Sequence, residues 1–346
     1  GLVIARLLSI AGAKVKVFIL EKNKHLKSDA LINANLVCKL GIDIIEINKS
    51  NSQILEQHLK KCDIIIDTLL GTGLNRPASG LYEKVIEKIN LAEKFVISID
   101  IPSGVDSDTG QLIGPHVHAD LTLALTLLKR SHLLYPAIEI MGEVKVINIQ
   151  IPLEAIESQP LKTQVTEDKD LRLWLPKRVA DSHKGKYGHV LVIAGSKGKG
   201  GAAALTALAA LRIGCGLVTL AIPESCQKAF ELYPLEVMTV PICETSSGTF
   251  ALSANETLLN HCKGKSAVAV GPGLSTEPET VQLLNELLPV INCPLIIDAD
   301  GVNALARNPS LISELRTDTV LTPHPREMSR ISGIETSKIL EKEVNC

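Results

Sequence analysis

The strongest constraint on this chain is the alternation of short apolar runs with helical patterns. Near-continuous Val/Ile runs are typical of parallel strands covered on both faces. Several of the intervening segments carry a helical period instead. The strands are predicted at residues 14–20, 43–47, 63–67, 95–99, 121–125 and 144–149, and again at 189–194, 217–221, 267–270, 295–298 and 319–321. Helices are predicted at 31–40, 51–60 and 81–90, so the fold class is α/β.

The chain is long enough for two domains, because 346 residues can form two sizeable cores. A charged, Pro-containing stretch at residues 151–176 separates the two series of strands. We therefore predict a first domain at 1–155, a linker at 156–175 and a second domain at 176–346. The second series is not a repeat of the first.

Composition narrows the classes of function. Charged residues make up 21% of the chain, the net charge is −2 and no Lys/Arg block occurs, which argues against a nucleic-acid partner. The apolar segment at 200–223 contains Arg212, Gly214 and Gly216, so we interpret it as a buried helix, a turn and a strand and expect no membrane span. The eight cysteines form no CxxC motif and indicate reduced core thiols of a cytoplasmic protein.

Two strands of the first domain end in a carboxylate followed by a glycine loop. Asp67 precedes the loop at 71–77 and Asp100 precedes Ile-Pro-Ser-Gly. Ligands of parallel sheets bind at the carboxyl ends of the strands, where glycine N–H groups and Arg76 could hold a phosphate. The two carboxylates and Ser103 could instead hold a cation. Turn formation alone is the remaining alternative.

The second domain has a glycine loop of its own at 195–201, between a strand and an Ala-rich helix. Free backbone amides at a helix N-terminus bind anions, although Gly201 stands where a P-loop would have lysine. A tight turn with close helix–sheet packing is the alternative. Later strands end near Asp298 and Asp300, which suit a metal or a base, and near His324, which two prolines hold in place.

Together these motifs resemble those of bifunctional NAD(P)H-hydrate repair enzymes, an NAD(P)H-hydrate epimerase fused to an ADP-dependent NAD(P)H-hydrate dehydratase. "DTLLGTGLNRPASG" and "SIDIPSGVDSDTG" resemble the epimerase signatures. "GHVLVIAGSKGKGGAAALTALAALRIGCGLVT", "EVM", "GPGLS", "DADGVNAL" and "LTPHPREM" follow the dehydratase pattern in order. The resemblance implies a Rossmann-like parallel-sheet domain followed by a ribokinase-like α/β domain.

The resemblance also implies roles for single residues. Asp67 and Ser103 would be potassium ligands, and Asp100 the acid/base of epimerisation at the ring carbon that bears the hydroxyl. In the second domain the hydrate would be lined by Ala202, Gly273 and His324. The substrate-binding loop of the epimerase domain would be Gly71, Thr72, Gly73, Leu74, Asn75, Arg76 and Pro77.

The substrates implied are NADHX or NADPHX, the hydrated forms of NADH and NADPH, with ADP as co-substrate and Mg²⁺ and K⁺ as ions. Family members tend to assemble, but no interface patch is legible in the sequence, so the oligomeric state stays open, with a homo-oligomer as one possibility. The family's Asn-Asn-Gly-Gly-Asp loop would precede Gly1, and its Gly-Gly-Thr-Gly-Asp motif would follow Cys346, so both ends are expected to be cut. Two alternatives stay open: a ribokinase-like small-molecule kinase, and a non-catalytic nucleotide-binding remnant.

Overall fold

The computed structural model describes residues 1–20, 28–48, 50–74, 76–161, 163–175, 177–230, 236–316 and 318–341. The chain divides into two compact units, Gly1–Gln164 and Val165–Cys346. This division falls inside the stretch predicted to be a linker, which contains the short helix Asp168–Trp174 and the end of another, Leu153–Glu157. The domain limits 1–155, 156–175 and 176–346 stay a prediction.

The first unit alternates helices with parallel strands. Its helices are α1 (Leu2–Ile10), α2 (Ser28–Lys39), α3 (Ser52–Leu59), α4 (Leu81–Leu91) and α5 (Leu153–Glu157). Its strands are β1 (Val17–Ile19), β2 (Ile44–Glu46), β3 (Ile64–Asp67), β4 (Phe95–Ile99), β5 (Leu121–Leu125) and β6 (Glu143–Ile147). In the described residues β1 and β2 pair with each other, while the other four form a second parallel sheet in the order β3-β4-β5-β6.

The core of this unit lies between the sheet and α4. Val85, Ile86 and Ile89 recur at helical spacing on α4 and are buried against Ile65 and Val96 of the neighbouring strands β3 and β4. An apolar stripe of this kind commits one face of the helix to the sheet. Because β3 and β4 pair in parallel, their carboxyl ends lie at the same edge of the sheet, where both continue into loops.

The second unit contains a six-stranded parallel sheet. Its strands are β7 (His189–Ile193), β8 (Leu217–Pro223), β9 (Met238–Ile242), β10 (Ala267–Val270), β11 (Leu295–Ile297) and β12 (Thr319–Leu321), in the order β12-β11-β10-β7-β8-β9. Its helices are α6 (Asp168–Trp174), α7 (Gly200–Ile213), α8 (Gln227–Phe230), α9 (Asn255–Cys262), α10 (Pro278–Leu287), α11 (Asp300–Arg307), α12 (Pro325–Ser332) and α13 (Thr336–Glu341). The predicted α/β class is confirmed in both units.

The segment 200–223 folds as α7, a turn at Gly214 and β8, as predicted. The prediction that the helix is buried is wrong: Ala203 and Ala207 pack on the sheet, whereas Leu205 on the outer face is 71% exposed. Small side chains bring this helix close to the strands, while Leu211 packs at the margin of the core and Leu205 and Ile213 face outward. Among the described residues, no helix has both the length and the apolar character needed to cross a membrane.

Two further differences have physical causes. Strand β9 was not predicted, because Pro241 lies within it and proline removes a ladder hydrogen bond. The strand lies at the edge of the sheet, where that loss is tolerated. The cysteines in the described residues are free; Cys262 is buried in a core, and Cys62, Cys215, Cys226 and Cys293 are partly buried against one. The prediction of core thiols is wrong for Cys38 and Cys243, which are exposed.

Candidate active sites at the carboxyl ends of the strands

Asp67 and Ser103 meet in a buried hydrogen-bonded pair at the end of β3. The Ser103 hydroxyl donates to Oδ1 of Asp67 at 2.6 Å, and the Ser103 amide donates to Oδ2 at 2.8 Å. Ser98 and the amide of Leu69 donate to the same carboxylate at 3.0 and 3.2 Å. Asp67 is only 1% exposed, so its charge is stabilised by these four donors rather than by solvent.

The loop that contains Ser103 is held by a close approach of backbone. Gly104 has φ +101°, a conformation that glycine adopts without a steric penalty. A Cβ at this position would lie 2.4 Å from the carbonyl oxygen of Pro115 and 2.6 Å from Cα of His116. The sequence therefore requires glycine here in order to place Ser103 against Asp67.

The predicted substrate loop leaves this pair and runs along the surface. The amide of Leu70 donates to Oγ of Ser103 at 2.9 Å, and Ser107 donates to the carbonyl of Thr72 at 3.3 Å. These two bonds join the 71–77 loop to the loop that follows β4. Five residues of the 71–77 loop are exposed, Leu74 is half-buried and Asn75 lies outside the described residues. The exposed five are Gly71, Thr72, Gly73, Arg76 and Pro77.

Asp100 lies one strand further along and faces a different set of partners. Its backbone has φ +72°, which is uncommon for a residue with a side chain. Its carboxylate accepts from the Leu125 amide at 3.0 Å and forms an ion pair with Lys129. The side chains of Asp100 and Lys129 are 21% and 24% exposed, so the pair is accessible from the open edge of the sheet.

Lys129 and His132 were not predicted from the sequence. They follow β5, the next strand in the sheet after β4. The Lys129 ammonium also donates to the carbonyl of Leu125 at 3.0 Å, and the His132 ring is hydrogen-bonded to the carbonyl of Asp100 at 2.7 Å. The rule that placed the ligand at strand ends applies equally to the loop after β5 and would have directed attention to it.

In the second unit the structure brings Ala202 and Gly273 together. A Cβ built on Gly273 would lie 3.3 Å from Cβ of Ala202 and 2.9 Å from the carbonyl of Lys199. Ser196 donates to the carbonyl of Gly273 at 2.7 Å, and the Gly195 amide donates to the carbonyl of Pro272 at 2.8 Å. The loops that follow β7 and β10 therefore form one continuous surface, as expected of adjacent strands.

Asp300 joins this surface to α11. Its carboxylate accepts from the amide of Ser275 at 2.8 Å and pairs with the ammonium of Lys199 at 3.2 Å. Asn303 donates to the same carboxylate at 3.4 Å. Asp298 accepts from the Thr322 hydroxyl at 2.8 Å. In the described part of the chain no three His, Cys, Asp or Glu side chains gather as a metal site. The bonds of Asp300 to Ser275 and Lys199 join α11 to the loops after β10 and β7.

His324 begins α12 and has both ring nitrogens engaged. The Arg326 amide donates to Nδ1 at 3.2 Å, and Nε2 lies 3.2 Å from Oε1 of the buried Glu327. Glu327 also accepts from the backbone amide of His324 at 3.0 Å, which completes a capping box. The His324 side chain is still 56% exposed, so the face of its ring is open at the carboxyl end of β12.

Two α/β units, each with polar residues gathered where its parallel strands end, define an α/β protein with a candidate ligand site in each unit. Residues 1–131 match the family model described as YjeF-related protein N-terminus, and residues 190–345 match that described as NAD(P)H-hydrate dehydratase. The chain belongs to the family of bifunctional NAD(P)H-hydrate repair enzymes. The predicted order of a Rossmann-like domain followed by a ribokinase-like domain agrees with these two matches.

Curated relatives carry both domains in the same order. The bifunctional NAD(P)H-hydrate repair enzyme Nnr of Thermofilum pendens is 40% identical over 346 residues, and that of Moorella thermoacetica is 37% identical over 342. These matches cover 100% and 99% of this chain but only 65% and 64% of the relatives, so the chain spans just under two thirds of their length. An ADP/ATP-dependent NAD(P)H-hydrate dehydratase from Bacillus subtilis, crystallised with ATP and Mg²⁺, is 30% identical, with a TM-score of 0.40 over 51% of this chain and 58% of that one.

Proposed function

We propose that the first unit interconverts the R and S forms of NAD(P)H hydrate. The observation that carries the proposal is the Asp100–Lys129 pair, a partly exposed carboxylate and ammonium held together at the carboxyl ends of β4 and β5. Epimerisation breaks and remakes a bond at the carbon that bears the hydroxyl, and it requires a group that gives and takes a proton there. Such proton transfer contributes about 10²- to 10⁴-fold to a rate.

Each residue of the site has a part in this reaction. Asp100 acts as the acid/base at the hydroxyl, and Lys129 supplies positive charge beside the carboxylate. The loop of residues 71–77 contacts the nucleotide through its exposed members, with backbone amides of Gly71–Gly73 and the Arg76 side chain directed to its phosphates. The bonds from Leu70 to Ser103 and from Ser107 to Thr72 hold this loop beside the strand ends.

Potassium binding by Asp67 and Ser103 stays a prediction. A carboxylate has about four lone-pair positions, and protein donors occupy four on Asp67. Ser103 donates to that carboxylate and accepts from Leu70. A cation that used Asp67 would have to replace one of these donors. The described residues do not fit the ion as they stand, and no step of the reaction is assigned to it.

We propose the second reaction for the second unit, the ADP-dependent removal of water from the S form. The phosphoryl group of ADP passes to the hydroxyl and leaves AMP. Phosphate then departs with the C–O electron pair while a base takes a proton from the neighbouring ring carbon.

Ala202 and Gly273 form one wall of the hydrate site and His324 offers the face of its ring. The described residues do not gather a ligand set for Mg²⁺, so no step is assigned to it. Cytoplasmic location stays a prediction from the cysteine pattern, and self-assembly stays one from the resemblance.

The two activities are tested separately on the full chain. Purified R-NADPH hydrate is incubated with the protein, and conversion to the S form is followed by chromatography. Recovery of NADPH absorbance with ADP and the S form reports dehydration. Epimerisation that falls at least about 100-fold in Lys129→Met and Asp100→Asn, but not in the exposed Lys145→Met, supports the first proposal.

Other outcomes separate the alternatives. Absence of epimerisation by the wild-type chain contradicts the first proposal, and absence of NADPH recovery contradicts the second. ATP consumption with simple alcohols, in the absence of hydrate, would indicate a small-molecule kinase. Hydrate binding without turnover would indicate a nucleotide-binding remnant.

A further inference from the structure

The His132 ring is buried beside the candidate acid/base, and both of its nitrogens have partners. Nδ1 lies 2.8 Å from the backbone amide of Lys129, which can only donate, so Nδ1 carries no proton. Nε2 lies 2.7 Å from the carbonyl oxygen of Asp100, which can only accept, so Nε2 carries the proton. The ring is therefore neutral in one tautomer. Burial lowers the pKa of His132 and favours this form.

The two groups that this ring holds are the two members of the ion pair. Asp100 has φ +72°, and positive φ at a residue with a side chain costs free energy, so it persists only where neighbouring contacts hold it. The Asp100 amide donates to the carbonyl of Leu123 at 2.8 Å, and its carbonyl accepts from His132. The same ring accepts from the amide of Lys129, whose ammonium reaches the Asp100 carboxylate.

We propose that His132 is a positioning residue, whose neutral ring sets the separation between the Asp100 carbonyl and the Lys129 amide and thereby holds the ion pair in its reactive arrangement. The proposal rests on the proposed epimerase function. His132 itself is 1% exposed and does not reach the open edge of the sheet, so it acts through the other two residues.

Protonation of the ring would undo this arrangement. A proton on Nδ1 would face the Lys129 N–H, and a second positive charge would lie near the Lys129 ammonium. Asp100 is the charged group that opposes this effect. The turn that carries His132, Arg130–His132, contacts two segments with acidic side chains. In the 106–110 loop, the Asp106 carboxylate accepts from the amides of Asp108 and Thr109. In the next turn, Ala137–Ile140, Glu139 is exposed.

Three variants of the full chain test the proposal. His132→Gln keeps a donor and an acceptor at the end of the side chain, whereas His132→Phe keeps the ring and loses both bonds. His118→Gln changes an exposed histidine of the same unit and serves as the matched control. We expect His132→Phe to lower the kcat of epimerisation about 10- to 100-fold with little change in KM, as removal of a supporting partner commonly does, and His132→Gln to retain most of it. The wild-type rate should also fall at acidic pH where that of His132→Gln does not.

A second readout does not depend on turnover. In the wild type, the long-range ¹H–¹⁵N spectrum should show the Nε2–H tautomer for His132. Hydrogen exchange at the amides of Leu125 and Lys129 should become at least tenfold faster in His132→Phe and remain slow in His132→Gln and His118→Gln. If the wild type does not epimerise the hydrate, the proposed function fails, and these measurements still decide the positioning role.

The proposal is overturned if His132 of the wild type is in the Nδ1–H tautomer, or if hydrogen exchange at the two amides is unchanged in His132→Phe. It is also overturned if His132→Phe has a kcat within twofold of wild type and loses activity at the same acidic pH. If His132→Phe does not fold, the tautomer and the pH profile of His132→Gln decide.

Discussion

The hydroxyl and the amide of Ser103 donate to different oxygens of Asp67, at 2.6 and 2.8 Å, and so tie the loop after β4 to the end of β3. The bond to Oδ2 requires a charged or carbonyl oxygen, because the donor is a backbone N–H. An asparagine side chain in place of Asp67 has one oxygen and one NH₂ group, so it cannot accept hydrogen bonds at both positions. The pair is therefore a structural requirement of the first site, whatever ligand the site takes.

Asp67→Asn should destabilise the first unit by about 2–3 kcal/mol, because one buried donor loses its acceptor and the charge-assisted bonds weaken. The measurement is the free energy of unfolding from urea titrations followed by circular dichroism. Asp63→Asn, which changes an exposed carboxylate just before the same strand, should stay within about 0.5 kcal/mol of wild type. Equal stability of the two variants would contradict the assignment of Asp67 as the anchor of this loop.

Gly104→Ala should destabilise the protein by at least about 2 kcal/mol, because the new Cβ meets backbone atoms of Pro115 and His116 at a positive φ. Gly71→Ala is the matched control, since nothing lies within 4 Å of a Cβ there. The control should leave the midpoint of thermal unfolding nearly unchanged. A Gly104→Ala protein as stable as the control would show that the loop relaxes without strain.

Glu327→Ala should cost about 1–3 kcal/mol, since the buried carboxylate caps α12 and holds the His324 ring. Glu335→Ala removes a carboxylate from an exposed pair with Lys338 and should have an effect below about 1 kcal/mol. Chemical unfolding of the two variants under the same conditions gives the comparison. Similar losses in both would mean that Glu327 does not act as a buried cap.

The stability of the first unit should fall as pH decreases below about 6.5, the ordinary pKa of histidine. Burial lowers the pKa of His132, so the unfolded chain takes up the proton first. The contribution of the neutral His132 ring to the free energy of unfolding is complete above about pH 6.5. It decreases by about 1.4 kcal/mol for each pH unit between that pH and the lower pKa of the folded form. His132→Gln should flatten the decline measured by urea unfolding from pH 7.5 to 5.5.

His118 and His189 also have pKa values lowered by burial, so part of the decline will remain in that variant. His118→Gln, whose histidine is exposed, should change the slope less than His132→Gln. Equal slopes for wild type and His132→Gln would contradict a buried neutral ring at His132.

The strands were largely predictable because apolar runs report burial on both faces of a sheet. Strands 95–99, 121–125, 267–270 and 319–321 lie where the sequence placed them. Asp67 and Ser103 could be chosen as candidates because each follows a strand, and the structure joins them directly. Ala202 and Gly273 also meet, whereas the ring nitrogens of His324 are taken up by its own helix cap.

By itself, the sequence determined the parallel α/β class, the two-unit organisation and the loops that we propose as ligand sites, because these follow from local periodicity and from glycine and carboxylate positions along the chain. Only the tertiary structure decided which side chains share a site. The ion pair of Asp100 with Lys129 and the bond from the His132 ring to the Asp100 carbonyl join residues 29 and 32 positions apart, brought together by the register of β4 and β5. No local pattern encodes such a contact, since it depends on which strands become neighbours and on where each one ends.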